Sequence, residues 1–210
     1  AHGFMRNLVD DKVNYLLLKP LAMTCEDENY LKAVKQTLGK RFQKRLAQLG
    51  YEASNKGIAW LHPYINSAGE FKTMRIPSEQ CIPIWTDNDH EELEAFIRYY
   101  DVEVYEGKEK RIVTKIEFHT ADGVEYYEKA PNGKVILDAE KYLDVDGDGT
   151  LLPHFTVDGE PGTWGRVPFI PFKNNDMELP DLQFVKTLID DYDRTRSDIS
   201  NLLEEVKSVI

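Results

Sequence analysis

The stretch that decides the fold is PDLQFVKTLIDDYDRTRSDISNLLEEVKSVI, residues 180–210. Pro180 suits the first turn of a helix, and Asp181 complements the positive end of the helix dipole. Beyond them, apolar residues recur every three or four positions, which is typical of one face of an amphipathic helix. They are Leu182, Val185, Leu188, Ile189, Tyr192, Ile199, Leu202, Leu203, Val206 and Ile210. We predict one long helix over residues 180–210, roughly 45 Å in length.

No stop signal follows the last apolar residue of this helix. Residues 208–210 are Ser, Val and Ile, whereas helices commonly end at Gly, Asn or Pro. We therefore expect the helix to continue into further protein. We also expect missing segments or neighbouring subunits to cover its last apolar residues, because exposed apolar surface of this extent marks an interaction site. The predicted subunit interface consists of Leu202, Leu203, Val206 and Ile210.

Two shorter helices are predicted near the start of the chain. The first covers residues 4–18 and ends before Pro20. The second begins at the acidic residues 26–28 and runs without a break to a cap at Gly50. Its apolar face consists of Leu31, Val34, Leu38, Phe42, Leu46 and Leu49.

From Gly57 the apolar residues alternate with a period of two, which is typical of strands. The predicted strands cover residues 58–65, 71–76, 81–85, 94–105, 111–118, 123–127 and 134–137. Because no strand alternates with a helix, the sheet should be mainly antiparallel. Residues 144–165 are rich in Asp, Gly and Pro and are predicted to form a loop. The fold class is therefore α+β, with N-terminal helices, a mainly antiparallel sheet and a long C-terminal helix, divided into a domain of residues 1–179 and the helix of residues 180–210.

Composition indicates a globular intracellular protein. The 210 residues are 41% hydrophobic and 30% charged, and no run of 18 apolar residues indicates a membrane span. The first residues lack the apolar core of a signal peptide. Cys25 and Cys81 lie far apart in the sequence, which favours reduced, buried thiols in a cytosolic protein over the alternative of a disulfide.

Several segments carry a family resemblance in a fixed order. The most specific is WGRVPFIPFKNN, residues 164–175, followed by LIDDYD at 188–193 and SDISN at 197–201. These segments resemble the portal proteins of tailed bacteriophages, the SPP1-like portal family. The preceding segments that match the family are NYLLLKP at 14–20, GIAW at 57–60 with Tyr64 and GE at 69–70, IP at 76–77, IPIW at 82–85 and IRYY at 97–100. Leu18 departs from the pattern, since the family usually has Gly there.

The resemblance implies a structural subunit, with no enzymatic activity, of a ring that is usually a dodecamer. Such a ring sits at one vertex of the phage capsid and passes DNA during packaging and ejection. This chain would cover the wing, and its last helix would lead into the stem. The resemblance also implies docking of the terminase and head-completion proteins through regions outside this chain. The location implied is the virion, with assembly in the host bacterial cytoplasm and no membrane contact.

Charge restricts the contact with DNA. The formal net charge is -11, so the chain should repel phosphates and meet double-stranded DNA only transiently and without sequence preference. One segment is densely basic and is interpreted as a solvated helix face, with a weak contact to DNA or a partner as the alternative. It contains Lys40, Arg41, Lys44 and Arg45.

One motif suggests a metal. Residues 144–150, DVDGDGT, match the opening of an EF-hand loop, whose clustered oxygens suit Ca²⁺. The twelfth position, where a bidentate Glu belongs, is Phe155, so a solvated turn is favoured over a calcium site. The candidate calcium ligands are Asp144, Asp146, Asp148 and Thr150, with Asp158 as a further ligand. The alternative function is a calcium-binding adhesion or scaffold module that uses the Asp144–Thr150 loop.

Catalytic motifs are missing from the sequence. It contains no phosphate-binding loop, no G-x-S-x-G, no H-E-x-x-H and no dinucleotide fingerprint. Its five histidines lack zinc-ligand spacing. We therefore predict that the chain is not an enzyme and holds no cofactor apart from the candidate Ca²⁺; a nucleic-acid enzyme has no motif to support it.

Overall fold

The computed structural model describes residues 3–107, 109–143 and 149–209. Over these ranges the chain is α+β, as predicted, with four α-helices and three sheets. The helices are α1 (Phe4–Leu17), α2 (Glu28–Leu38), α3 (Phe42–Lys56) and α4 (Asp181–Val209). The strands are β1 (Ile58–Ile65), β2 (Phe71–Ile76), β3 (Cys81–Trp85), β4 (Leu93–Glu106), β5 (Glu109–His119), β6 (Val124–Lys129), β7 (Val135–Leu137), β8 (Phe155–Val157), β9 (Glu160–Gly162) and β10 (Ile170–Lys173). No helix within these ranges is long and apolar enough to cross a bilayer.

The chain forms two compact units. One consists of residues 1–59 and 171–210 and contains the four helices. The other consists of residues 60–170 and contains most of the strands. The strand orders are β3-β4-β5-β6-β7, β10-β1-β2 and β8-β9. Whether residues 1–179 fold independently of the helix that follows stays a prediction.

The helical unit is built on the packing of α1 against α3. Val9 and Val13 of α1 and Leu49 of α3 are buried. Gly50 was predicted to cap a helix, but this prediction is wrong, because Gly50 lies inside α3. A Cβ on Gly50 would lie 2.7 Å from the Cδ1 of Leu17. Gly50 therefore lets α1 approach α3 closely, and α3 ends instead at Gly57.

The second predicted helix is in fact two helices, α2 and α3. Gly39 ends α2 with φ of 71°, in the left-handed region that favours glycine, and its N–H donates to the Lys35 carbonyl. The predicted acidic start is confirmed, since Asp27 accepts hydrogen bonds from the backbone N–H groups of Asn29 and Tyr30. No residue of α2 is buried.

The sheet unit follows the predicted alternation closely. β3, β4, β5, β6 and β7 pair antiparallel in sequence order, so each neighbour along the chain is a neighbour in the sheet. The predicted hairpin of β1 and β2 is confirmed, with Ile65 opposite Phe71. In its loop, the Asn66 side chain accepts from the backbone N–H groups of Ala68 and Glu70.

Aromatic rings form the centre of the sheet unit. Trp60 and Phe96 are fully buried, with ring centroids 4.7 Å apart in an edge-on arrangement. Phe169 stacks on Phe96 with centroids 3.8 Å apart. Buried aromatic side chains contribute large apolar areas, so this cluster stabilises the unit more than any surface contact can.

The predicted loop of residues 144–165 contains a hairpin that sequence analysis missed. Strands β8 and β9 pair with Val157 opposite Glu160. Asp158 and Gly159 between them have φ of 53° and 86°, the two positive values of a type I′ turn. The Asp-Gly dipeptide was the available signal, and Asp158 therefore forms a turn where a further metal ligand had been considered.

Neither cysteine is part of a disulfide, but the predicted burial holds only in part. Cys81 is half-buried and Cys25 is exposed. The predicted burial is therefore wrong for Cys25, which lies in the segment between α1 and α2.

Substituting the central ring should destabilise the sheet unit strongly. We expect Phe96→Ala to lower the free energy of unfolding by about 3–5 kcal/mol, because it removes apolar contacts and leaves a cavity. Tyr105→Ala on the same strand is the matched control, since Tyr105 is 65% exposed; we expect a change within about 0.5 kcal/mol. Urea denaturation followed by tryptophan fluorescence measures both. Equal effects would contradict the assignment of the core.

Candidate subunit interface and its anchor

The start of α4 is fixed by a cluster of three polar side chains. The Lys12 ammonium lies 3.0 Å from the Asp181 carboxylate and donates to the Asn174 side-chain oxygen at 2.6 Å. The Asn174 amide donates to Asp181 at 2.8 Å and to the Leu179 carbonyl at 2.9 Å. Burial raises the pKa of Asp181, but the hydrogen bonds from Asn174 and Lys12 outweigh it and hold this pKa below its ordinary value. The cluster joins the middle of α1 to the first residue of α4.

Asn175 shapes the turn that precedes α4. Its side-chain oxygen accepts from the backbone N–H groups of Met177 and Leu179, both at 3.1 Å. Its amide donates to the Leu179 carbonyl at 2.8 Å. An Asn side chain that bonds the backbone two and four residues onward sets a tight turn. The two consecutive Asn residues of the portal-like segment therefore have separate roles. Asn174 belongs to the cluster with Lys12 and Asp181, which we call the anchor of α4, and Asn175 shapes the turn.

Gly57 is required by the same turn. Its φ is 90°, and a Cβ at this position would lie 1.8 Å from the Glu178 carbonyl oxygen. The Gly57 carbonyl accepts a hydrogen bond from the Asn174 N–H at 2.8 Å. The GIAW segment is thus explained from its first residue: Gly57 admits the turn, whereas Ala59 and Trp60 are fully buried.

From residue 194 to residue 207, α4 is exposed on every side. Nearer to the start of the helix, Phe4 of α1 meets Tyr192 edge-on, with ring centroids 5.1 Å apart. Every side chain of residues 194–207 is exposed. Leu202, Leu203 and Val206 of the predicted interface are among them, at 59%, 58% and 57% exposure. Ile210 lies outside the residues that the structure describes, and the interface role of all four stays a prediction.

One face of α4 follows a coiled-coil pattern. Its residues recur in steps of three and four, the spacing by which one helix packs its seam against another. The seam consists of the half-buried Val185, the polar Thr195 and five exposed residues, which are Leu188, Tyr192, Ile199, Leu202 and Val206. A seam this long and this exposed fits packing against a further helix.

The basic cluster lies at the junction of α2 and α3. Lys40, Arg41 and Lys44 are exposed and Arg45 is half-buried. Arg41 is the residue that precedes α3, so the cluster surrounds the N-terminal end of that helix. Cations there oppose the helix dipole, so this end of α3 is strongly electropositive.

The candidate calcium ligands remain untested. Asp144, Asp146 and Asp148 lie outside the described ranges. Thr150 donates its hydroxyl proton to Glu125 and accepts a hydrogen bond from the Tyr142 hydroxyl on its carbonyl at 2.6 Å. Within the described ranges no group of three His, Cys, Asp or Glu residues is arranged to hold a metal ion.

The sheet unit contains a buried polar network that was not predicted from the sequence. Glu117 accepts from the Tyr100 hydroxyl at 2.9 Å and lies 3.2 Å from the His119 Nε2 and 3.4 Å from the Arg98 guanidinium. Burial alone would raise the pKa of Glu117. The His119 hydrogen bond and the Arg98 charge outweigh burial and bring the pKa down to about 2. Arg98 and Tyr100 belong to the IRYY segment, and their alternation was the signal that they share one face of β4.

His62 lies beside this network as a neutral side chain. Its Nδ1 is 2.7 Å from the Pro168 carbonyl oxygen, and its ring stacks on Phe169 with centroids 4.5 Å apart. Burial lowers the pKa of His62 to about 4, from an ordinary value of 6.5. The neutral ring donates its Nδ1 proton to Pro168, so this bond holds the end of the sheet unit together at neutral pH.

The turn before α4 should not tolerate a side chain at position 57. We expect Gly57→Ala to lower the free energy of unfolding by about 2–5 kcal/mol, from left-handed backbone strain and overlap with Glu178. Gly39→Ala is the matched control, because Gly39 also ends a helix at positive φ but has only one atom, at 4.0 Å, near its missing Cβ. Only the backbone cost, about 1–2 kcal/mol, applies there. Thermal melts that show equal losses would refute the close contact.

Acid should destabilise the sheet unit through His62. Its pKa is depressed in the folded state, so its contribution to stability is complete above pH 6.5 and is lost as the pH falls towards 4. Lowering the pH from 7 to 5 should cost about 2 kcal/mol through this residue. His62→Gln keeps a donor for Pro168 but does not titrate, so it should flatten the pH dependence. An unchanged slope in denaturation midpoints across this range would show that His62 is not the titrating group.

Comparison with known proteins agrees with the resemblance. The family model described as "Phage portal protein, SPP1 Gp6-like" matches residues 1–210. The portal protein of Bacillus phage SPP1 is 32% identical over 211 residues, which cover 100% of this chain and 40% of that protein. The portal protein of Clostridium phage phiCD119 is 34% identical over 221 residues, which cover 100% of this chain and 46% of that protein. The chain therefore spans less than half the length of these relatives, and it belongs to the SPP1-like family of phage portal proteins.

Proposed function

We propose that this chain is the wing and stem-entry part of a structural subunit in a phage portal ring. Through such a ring, DNA enters the capsid during packaging and leaves it during ejection. The observation that carries the proposal is the family match over the whole chain, together with the exposed seam of α4. A ring subunit needs apolar surface that only its neighbours cover, and this seam supplies it.

The role is architectural. The sequence has no catalytic motif, and Tyr100 and Arg98 bind the buried carboxylate of Glu117. The ring is a homo-oligomer, a dodecamer by analogy with the family. Terminase and head-completion proteins dock on regions outside this chain. The protein resides at the portal vertex of the virion and in the host cytoplasm during assembly.

DNA passes such a ring without being held. The net charge of -11 supports this, since an acidic surface repels phosphates at short range. The calcium-module alternative has no support among the residues that the structure describes.

Charging the seam should block assembly and spare the fold. We expect Leu202→Glu with Val206→Glu to prevent ring formation by the complete protein, because burying two carboxylates in an apolar contact is costly. Both side chains are more than half exposed, so circular dichroism should show an unchanged fold. Ser197→Glu with Asn201→Glu, on the opposite side of α4, is the matched control. Negative-stain electron microscopy counts the rings. Intact rings in the Leu202 and Val206 variant would refute the interface. Loss of rings in both variants would show that added charge anywhere on α4 blocks assembly, and would contradict a specific role for the seam.

Duplex DNA should bind weakly and without sequence preference. We expect a Kd of about 10⁻⁴ M or weaker at physiological salt, the range of non-specific phosphate contacts. Residual affinity should fall in the Lys40→Ala, Arg41→Ala, Lys44→Ala, Arg45→Ala variant. Fluorescence anisotropy at two salt concentrations measures the affinity. Micromolar binding that prefers one sequence would contradict a channel role, because base-edge contacts would stall the DNA.

A further inference from the structure

Helix α2 is amphipathic, yet no residue of it is buried. Leu31, Val34 and Leu38 lie along one side and are half-buried, and Tyr30 is exposed. The helix has 11 residues, and an isolated helix of fewer than about 12–15 residues is marginally stable in water. Packing of its apolar side against a further surface would therefore stabilise this helix.

The surroundings of that apolar side are basic. Residues 29–51 contain six Lys and Arg residues and no Asp or Glu. Leu31 lies in a groove whose lining includes Lys32, Lys35 and Lys40 and one carboxylate, Glu28, so the groove is basic on balance. Lys35, one turn beyond Leu31, and Lys32 follow the same edge of the apolar side. The electropositive start of α3 adjoins this groove through Lys40. A matching partner would present an apolar ridge with a carboxylate edge.

Helix α4 presents such a ridge. Residues 190–206 contain six Asp and Glu residues and two Arg, a net charge of -4. Asp191, Asp198 and Glu205 recur every seven residues, and each directly precedes a residue of the seam, so they line one edge of it. Asp191 pairs with Arg194 at 3.8 Å, but both side chains are more than 70% exposed, so this pair contributes little.

A ring built from identical subunits joins two different surfaces of each copy. In such a head-to-tail contact the first surface of one copy must complement the second surface of the next. We propose that α2 of one copy packs along the exposed seam of α4 in the next copy, with Lys32 and Lys35 facing the Asp191, Asp198 and Glu205 edge. The occupant of the α2 groove is thus a second copy of this chain. This inference rests on the proposed ring and names the two faces that form it.

Duplex DNA is the other polyanion that would fit a basic surface. Phosphates would satisfy the lysines but would leave Leu31, Val34 and Leu38 in water. A helix with an apolar ridge satisfies both, since apolar burial supplies affinity and the opposite charges fix register and orientation. The same charge pattern excludes pairing of two α2 helices or of two α4 helices through these edges, because like charges would meet.

Charge reversal with complementation tests the contact in the complete protein. The α2 variant carries Lys32→Glu and Lys35→Glu, and the α4 variant carries Asp191→Lys and Asp198→Lys. Each variant alone would bring like charges together, so we expect the concentration needed for ring assembly to rise about tenfold or more. An equal mixture of the two variants should assemble again, because each α2 then meets an α4 of opposite charge. The protein with all four substitutions should assemble as well.

Matched controls separate this contact from a general effect of charge. Ala33→Glu lies on the side of α2 away from Leu31, and Glu204→Lys lies away from the acidic edge of α4; neither should change assembly. Circular dichroism checks that each variant is folded, and sedimentation velocity with electron microscopy measures the rings.

The outcomes are distinct. Normal assembly of either charge-reversed variant, or failure of the mixture to assemble, would overturn the α2–α4 contact and leave the proposed function standing. An α2 variant that assembles normally but loses its residual affinity for duplex DNA would assign the basic edge to DNA. A wild-type protein that forms no ring would refute the proposed function itself.

Discussion

The structure of the helical unit depends on the close approach of the turn before α4 to the end of α3. The Glu178 carbonyl occupies the space that a side chain on Gly57 would fill, and Asn174 bonds the Gly57 carbonyl from the same turn. This contact sets where α4 begins. The Lys12, Asn174 and Asp181 cluster then sets its direction, because charged hydrogen bonds at 2.6–3.1 Å require a defined geometry. A long helix magnifies any error at its origin, so a rigid origin is what lets α4 present its seam reproducibly.

The same division between rigid and exposed parts runs through the sequence. Some of the segments that resemble the portal family map onto the turn before α4 and the cores: Gly57 and Asn174 admit and hold the turn, whereas Trp60 is buried and Arg98 holds Glu117. Others, LIDDYD at 188–193 and SDISN at 197–201, lie on the exposed part of α4. The surfaces available for assembly carry simpler patterns of apolar and charged residues. A fold is specified by such tightly constrained positions, whereas an interface of repeated helical contacts is specified by periodicity.

Periodicity is also what made parts of the structure predictable. The seam of α4 and the alternation of β4 persist over many residues, so neither depends on one position. The break between α2 and α3 was not visible, because Leu38 and Phe42 are four residues apart and the apolar stripe continues across Gly39 in register. Whether Gly50 caps a helix or admits a neighbour depends on Leu17, 33 positions earlier in the sequence, and no local pattern contains that information.

The candidate site divides in the same way. The exposure of Leu202, Leu203 and Val206 followed from the length of the helix, since an apolar stripe this long extends beyond the other helices of the unit. The Glu117 network could not be found, because Arg98 meets Glu117 only through the register of β4 against β5. Strand register is a property of two segments together, so a buried network that spans it appears only once the pairing is known.

The exposed part of α4 links helix stability to assembly. Residues 194–207 are exposed and gain little from burial in this chain, so the helix there depends mainly on local side-chain pairs, each of which contributes only about 0.2–0.5 kcal/mol. Packing of another helix along the seam, as we propose for the ring, would add apolar burial to these local terms. In that assembly, covering the seam would stabilise the helix, and a stable helix would present the whole seam at once. The proposed assembly would therefore be cooperative at the level of each subunit, which favours complete contacts between neighbours over partial ones.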